Sequence, residues 1–267
     1  MKRLSLFLLF FSLHANENIR YAPWLPPLWE MQKEISYSYS QQKFVQSPKE
    51  IFLDPSQCYT LAGHFELTPW PYWNIKMDLL LTQIDPIPFS YQAVYTTIRY
   101  QWFDDIRGDP ITLTTGITLS FPGKRYLHNY NFPYHGEINS ELHATIGKEW
   151  TDRNDWWMRG WVFGGWGIAN RGNGWLHGIA SLEFKPKYCD WGFFTEALFG
   201  LGSHDIVLDK PFVGYALIHH KTINIGSYLH PHLKLVHPLS FVGWYNPYAY
   251  NFVFHNWGVL MNMLFLF

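Results

Sequence analysis

Residues 72–82, YWNIKMDLLLT, alternate between apolar and polar side chains with a period of two. Successive side chains of a β-strand point to opposite faces, so a period of two predicts a strand with two unlike faces. The apolar face carries Trp73, Ile75, Met77, Leu79 and Leu81, and the opposite face carries Asn74, Lys76, Asp78 and Thr82. One face therefore suits lipid, and the other suits water.

The same alternation returns in residues 110–121, 136–150 and 188–201. These segments are longer than the strands of most globular sheets, and tilted strands of about 9 to 11 residues can cross a bilayer. An open sheet edge is not tolerated in hydrocarbon, so such strands must close into a barrel. We predict an all-β fold: a single transmembrane antiparallel up-and-down β-barrel of about twelve strands, with 10 or 14 as the alternatives.

Twelve strands can be placed by this pattern. They span residues 33–43, 58–68, 72–84, 90–103, 110–121, 136–150, 155–169, 174–185, 188–202, 211–220, 222–236 and 255–267. The loops between them alternate between long and short, as in outer-membrane barrels. The expected rim on the short-turn side is aromatic, as in an interfacial girdle: Trp70, Tyr72, Trp73, Trp102, Trp150, Trp156, Trp157 and Tyr188.

The N-terminal residues predict an exported protein. Lys2 and Arg3 precede an apolar run over residues 4–13, which is too short to span a bilayer, and Ala15 offers a cleavage position. We therefore expect a Sec signal peptide at 1–15, a Pro- and Trp-rich periplasmic leader at 16–32, and the barrel at 33–267. The leader is either exposed or folded back over the periplasmic mouth through Trp24 and Trp29. The net charge of −1 gives no basic surface for nucleic acid, and no nucleic-acid partner is expected.

The last strand carries apolar or aromatic side chains at every second position, ending on the last residue of the sequence. These are Trp257, Val259, Met261, Met263, Phe265 and Phe267. This pattern resembles the terminal assembly signal of bacterial outer-membrane β-barrel proteins. The resemblance implies localisation in the outer membrane of a Gram-negative-type envelope, and outer-membrane lipid, periplasmic chaperones and the barrel-assembly machinery as partners. The opposite face of this strand is also apolar at Leu260, Leu264 and Leu266, so we expect it to pack against something other than open water, such as Trp24 and Trp29.

The polar faces of the strands predict a charged barrel lumen. The expected lumen-lining charges are Glu66, Lys76, Asp78, Arg99, Glu137, Glu141, Glu149, Glu183, Asp190, Glu196 and Lys234, with acidic residues in excess. A twelve-stranded barrel is narrow, so the favoured function is a porin-like channel for passive transport of small polar solutes. The alternative is a non-conducting structural or surface-exposed barrel that uses the loops at 44–57, 122–135 and 237–254 for contacts.

A third hypothesis is a lipid-modifying hydrolase of the outer membrane. Ser140 and His143 lie three apart on a strand and face opposite sides, whereas Ser181 and His177 share a face that is predicted to be the lumen. Enzymatic activity is therefore not favoured, and no catalytic residue is assigned. His230 and His232 share a strand face but have no acidic residue nearby in sequence, so no metal or cofactor is expected. Cys58 and Cys189 are expected near opposite rims and unpaired.

Overall fold

The computed structural model describes residues 21–48, 51–152, 155–207, 211–232, 238–254 and 256–266. The predicted signal peptide at 1–15 lies outside these residues. The described chain consists mainly of β-strands: β1 (Met31–Gln46), β2 (Ile51–Trp70), β3 (Trp73–Ile84), β4 (Ile87–Phe103), β5 (Thr112–Pro122), β6 (Asn139–Asp152), β7 (Asp155–Ala169), β8 (Trp175–Phe184), β9 (Cys189–Gly200), β10 (Lys221–Pro231), β11 (Leu239–Tyr250), β12 (Phe252–Phe254) and β13 (Trp257–Leu266). A short helix, α1 (Lys124–Leu127), follows β5. Within the described residues, no helix has the length and apolarity needed to cross a membrane.

The strands form a closed antiparallel barrel of twelve strands, which confirms the predicted fold class. Closure occurs at β1, which pairs with β2 on one side and with β12 and β13 on the other. The two last segments lie end to end along β1, because β12 pairs with residues 44–46 and β13 pairs with residues 32–41. Together they act as the twelfth strand.

The predicted strands are wrong in two places in the last quarter of the chain. One predicted strand is absent and one strand was not predicted, so the total of twelve is unaffected. Residues 211–220, predicted as a strand, belong to a connection in which Gly214 has a φ of +98°. Residues 237–254, predicted as a loop, contain β11. Pro247 lies at a bulge of β11, where Ile223 pairs with Tyr248 and Ile225 pairs with Tyr245. A bulge accommodates proline because the extra residue leaves the hydrogen-bond ladder.

The predicted contact loops also differ from the structure. Strands β1 and β2 extend through most of 44–57, so that residues 47–50 alone connect them. Residues 122–135 fold inward around α1, where Tyr126 and Leu127 are fully buried.

The two faces of the sheet differ as the alternation predicts. In β3, Asn74, Lys76 and Asp78 are buried toward the lumen, whereas Met77 and Leu79 are exposed on the outer wall. We call the end with the connections at 71–72, 104–111, 153–154, 185–188 and 232–238 the turn end, and the opposite end the loop end. Exposed aromatic side chains at the turn end include Trp70, Tyr72, Trp73, Trp102, Trp150, Trp157 and Tyr188. Both cysteines are free, with Cys58 buried near the loop end and Cys189 near the turn end.

Candidate functional site in the barrel lumen

One group of predicted lumen charges forms a buried ion-pair cluster on β2, β3 and β4. Arg99 Nη2 lies 2.8 Å from Glu66 Oε1, and Lys76 Nζ lies 3.2 Å from Glu66 Oε2. Arg99 Nε also donates to Asn74 Oδ1 at 3.0 Å. Glu66 thus joins two cations, which satisfies the donors of an arginine that is only 2% exposed.

Asp78 belongs to a neighbouring hydrogen-bonded chain. Its Oδ1 lies 2.7 Å from His64 Nδ1, and His64 Nε2 lies 2.9 Å from Ser36 Oγ. His64 is not among the predicted lumen residues. The alternation along β2 could have identified His64 as a lumen residue. It lies an even number of positions from Cys58, Thr60 and Ala62, which are buried on the inner face of this strand.

The most connected group centres on His177. Its Nδ1 lies 3.3 Å from Glu141 Oε1, and its Nε2 lies 3.0 Å from Glu196 Oε1. Trp175 Nε1 donates to Glu141 Oε2 at 2.8 Å, and Asn224 Nδ2 donates to Glu196 Oε2 at 2.9 Å. Ionised carboxylates only accept hydrogen bonds, so this arrangement suits an imidazolium that donates from both nitrogens.

The other predicted lumen charges are distributed along the wall. Glu149 Oε2 accepts from Arg159 Nε at 2.7 Å, and Arg159 was not predicted. Glu183 Oε1 accepts from Trp161 Nε1 at 2.7 Å. Asp190 Oδ1 lies 2.8 Å from His232 Nε2.

Two predicted lumen charges are not placed there. Glu137 is exposed in the connection before β6, and Lys234 lies outside the described residues.

Residues 21–30 enter the lumen from the turn end. Arg99 Nη1 donates to Ala22 O at 2.8 Å, and Thr114 Oγ1 donates to Pro23 O at 2.6 Å. Trp24 Nε1 donates to Asp105 Oδ1 at 2.9 Å, and the guanidinium of Arg159 lies 4.9 Å from the centroid of the Trp24 ring. This segment therefore occupies the mouth at the turn end.

The lumen wall makes room for this segment. A β-carbon at Gly147 would lie 2.6 Å from Pro23 Cγ, a distance that is too short for any other residue at that position. Trp24 and Tyr21 pack against Trp161 and Phe163, whereas Trp29 is 65% exposed.

Two connections fill the loop end. Tyr126 and Leu127 pack with Cys58 and Ile84 on the strands, while Tyr215 and Ile218 pack with Val45 and Val253. The two connections also bind each other, because Tyr215 N donates to Tyr134 O at 2.8 Å.

Two cavities remain between these blocks. A cavity of about 170 Å³ is lined by Tyr21, Glu141, Trp175 and His177, among others. A second cavity of about 200 Å³ is lined by residues of β10, β11 and the segment that follows, including Asn224 and Asn246. Both cavities are lined by Pro133, Glu196 and Leu198, so Glu196 stands where they meet.

The apolar inner face of the closing strand packs against neighbouring strands. Leu260 lies in a buried cluster with Phe194, Tyr228 and Val242. The expected contact with Trp24 and Trp29 is therefore wrong for Leu260. Leu264 lines a small recess with Gln32 and Glu34, and the side chain of Leu266 lies outside the described set.

The outward residues of this strand follow the alternation. Trp257 and Met261 are exposed, and Val259, Met263 and Phe265 share their side of the strand. Phe267 lies outside the described residues.

The geometry offers no nucleophile and base for hydrolysis at the pairs considered. Ser181 Oγ donates to Phe193 O at 3.2 Å, while both ring nitrogens of His177 face carboxylates. His143 is buried toward the lumen, but Ser140 points outward. Among the described residues there is no group of three or more His, Cys, Asp or Glu side chains that could hold a metal ion.

No protein-family model matches the chain, and no curated protein matches it. The solved structures that are similar in fold include two outer-membrane proteins. An outer membrane channel from Pseudomonas putida F1 superposes with a TM-score of 0.63 at 7% identity, over 96% of this chain and 100% of that chain. The NanC porin superposes with a TM-score of 0.57 at 7% identity, over 87% of this chain and 98% of that chain. The chain thus has the barrel fold of outer membrane channels.

Proposed function

We propose that this protein is an outer-membrane channel for the passive transport of small polar solutes, with the turn end facing the periplasm. The observation that carries the proposal is the pair of cavities that share Glu196 in their linings inside a closed barrel. A barrel that served only as a scaffold would not need cavities whose linings include hydrogen-bonding side chains such as His177 and Asn246. The fold shared with outer membrane channels supports the same function.

The described conformation is the closed state of this channel. Residues 21–30 block the turn end, and residues 123–138, 201–207 and 211–220 block the loop end. Both blocks lie outside the strand ladder and are held by side-chain contacts and by a few loop hydrogen bonds, such as that from Tyr215 N to Tyr134 O. They can therefore move while the barrel wall stays intact.

Planar-bilayer recording of the purified barrel tests this function. We expect rare conductance steps from the wild-type protein and modestly more frequent steps from Trp24→Ala, because Trp24 packs in the lumen and binds Asp105. Trp29→Ala is the matched control, since Trp29 lies in the same segment but is exposed. A barrel that never conducts, even when residues 21–28 are deleted and at both pH 7.5 and pH 5, would overturn the proposal.

The second candidate is a non-conducting structural barrel. The observation that favours it is the occlusion of both ends, by Trp24 at the turn end and by the buried side chains of Tyr126 and Tyr215 at the loop end. The same recordings decide between the two, because a structural barrel would give no steps in any variant.

We further propose that residues 1–15 direct Sec export and that the assembly machinery recognises the closing strand through Phe267 and the outward residues before it. The outward alternation over residues 257–265 supports this assignment. Phe267→Ala should leave less heat-modifiable protein in the outer membrane than Phe267→Tyr. Equal amounts of the two variants would contradict it.

A further inference from the structure

The second cavity, which we call the amide pocket, lies at the bulge of β11. It is lined by Asn131, Asn224, Asn246 and Asn256, with Trp244 and Glu196 beside them. The bulge places Asn246 and Pro247 opposite the single residue Asn224 of β10. Bulges commonly re-aim a side chain, and here the side chain of Asn246 is 2% exposed and lines the pocket.

Glu196 fixes the orientation of two amides in this pocket. Because a carboxylate only accepts hydrogen bonds, Asn224 must turn its Nδ2 toward Glu196 Oε2, at 2.9 Å. Asn224 Oδ1 then accepts from Asn246 Nδ2, also at 2.9 Å. Asn246 Nδ2 makes its second bond to Thr222 Oγ1, at 2.5 Å. Both hydrogens of the Asn246 amide are thereby used.

These hydrogen bonds fix the orientation of the Asn246 amide, because its nitrogen must face Asn224 and Thr222. Asn246 Oδ1 is therefore the atom that is left as a buried acceptor. Asn246 Oδ1 has no hydrogen-bond partner among the described residues, and the same holds for Asn256 Oδ1. A buried acceptor without a partner is unfavourable, so the pocket favours a ligand that donates hydrogen bonds.

Trp244 gives the pocket an apolar surface. Its ring lies over Gly258, where a β-carbon would be 2.4 Å from Cζ2 of the indole. Glycine at this position therefore lets the ring settle against the backbone of the closing strand. An aromatic face beside a row of amides suits a ligand with C–H groups on one side and hydroxyls on the other.

The charge of the pocket favours a neutral ligand. Among the described residues of its lining, Glu196 is the one with a charged side chain, and its oxygens already accept from His177 and Asn224. A cation entering the pocket would lose its hydration without gaining an unengaged carboxylate. Amide oxygens can instead bind hydroxyl groups without a change in charge.

We propose that the amide pocket is a binding site for a neutral polyhydroxylated solute of about monosaccharide size. Its role as a station on the transport path rests on the proposed channel function, but binding itself does not. The ligand hydroxyls donate to Asn246 and Asn256, and one face of the ligand packs on Trp244.

Titration calorimetry on the detergent-solubilised barrel tests binding separately from conductance. The probes are D-glucose, D-galactose and D-mannitol, with tetramethylammonium chloride and sodium gluconate as charged probes. We expect at least one neutral probe to bind with a Kd on the order of 1 mM, which corresponds to a binding free energy of about −4 kcal/mol. Asn246→Ala should weaken that binding at least tenfold.

Asn262→Ala is the matched control, because Asn262 Oδ1 is also buried and without a described partner but does not line the pocket. If Asn246→Ala does not fold, Asn256→Ala provides the same test, because Asn256 also lines the amide pocket but is less buried. The site is overturned if only a charged probe binds, if no probe binds, or if Asn262→Ala weakens binding as much as the pocket variants. Conductance without sugar binding would overturn this inference alone, whereas binding without conductance would overturn the channel function alone.

Discussion

His135 and His220 meet where the two loop-end connections pack together. The His135 ring stacks on Trp175 with centroids 4.4 Å apart and lies 5.3 Å from the ring of His220. Tyr215 packs beside both. Burial lowers the pKa of His135 to about 3 and that of His220 to about 4. Both imidazoles are therefore neutral in the closed loops at neutral pH.

We predict that acid loosens these loops. A histidine whose pKa is lowered stabilises the closed form fully above its ordinary pKa of about 6.5, and this contribution is lost as pH falls toward the lowered value. At pH 5 the loss is about 2 kcal/mol for each histidine. Hydrogen–deuterium exchange of residues 123–138 and 201–220, corrected for the intrinsic pH dependence, should show at least tenfold less protection at pH 5 than at pH 7.5.

The double variant His135→Gln/His220→Gln is the control for this prediction, because glutamine cannot take up a proton in this range. Its two loops should keep the same protection at both pH values. Equal loosening of the variant and the wild type would show that other groups carry the pH dependence.

Individual lumen residues were predictable where the strand parity was clear. Glu66, Arg99 and Glu141 lie on strands whose alternation is regular, and the structure places them on the inner wall. Partners were not predictable, because Glu141 and Glu196 meet at His177 across 55 residues of sequence. The inward position of Asn246 could not be predicted. It depends on the bulge of β11, which shifts the alternation of inward and outward residues and is not visible in the sequence pattern.

At the scale of one strand, β13 allows a direct test of the two faces. Met261 is exposed on the outer wall, whereas Asn262 points inward between Ser36 and Ser240 of the neighbouring strands. We predict that Met261→Lys destabilises the barrel in lipid by about 2 to 4 kcal/mol, because a charge at mid-depth on the lipid face is costly. Asn262→Lys should cost less, since its ammonium group reaches the polar lumen.

Urea unfolding in lipid vesicles, followed by the band shift between folded and unfolded protein, measures both variants. Met261→Leu is the control for the loss of the methionine side chain and should unfold at the wild-type midpoint. A larger loss for Asn262→Lys than for Met261→Lys would reverse the assignment of the faces.

The strand pattern predicted most of the barrel but failed where alternation and turn signals conflict. Residues 211–220 contain apolar side chains at near-strand spacing, yet Tyr215 and Ile218 pack into a loop cluster. Strand β11 was not predicted; it contains Pro247, and the bulge that accommodates this proline forms only through pairing with β10. One strand lost and one added left the alternation of long and short loops intact, so that alternation did not reveal the error.

At the scale of the whole molecule, the occlusion of the barrel depends on contacts that no local pattern encodes. The leader enters the lumen because Arg99, Thr114 and Asp105 offer partners to residues 22–24. Those partners come from β4, β5 and the connection between them, which are distant in sequence from residues 22–24. Alternation predicts that a lumen exists, and long-range hydrogen bonds decide what fills it.

The two blocks lie in series along one lumen, and this arrangement predicts how their effects combine. Opening one end leaves the other closed, so deletion of residues 21–28 at pH 7.5 and the intact protein at pH 5 should each raise the open probability only modestly. The deletion variant at pH 5 should show an increase close to the product of the two separate increases, because conduction requires both mouths to be open at the same time. Planar-bilayer recordings of the two proteins at the two pH values supply the four measurements. Increases that only add would indicate separate paths through the barrel, and the absence of any acid effect in the deletion variant would show that the loop-end block is not held by His135 and His220.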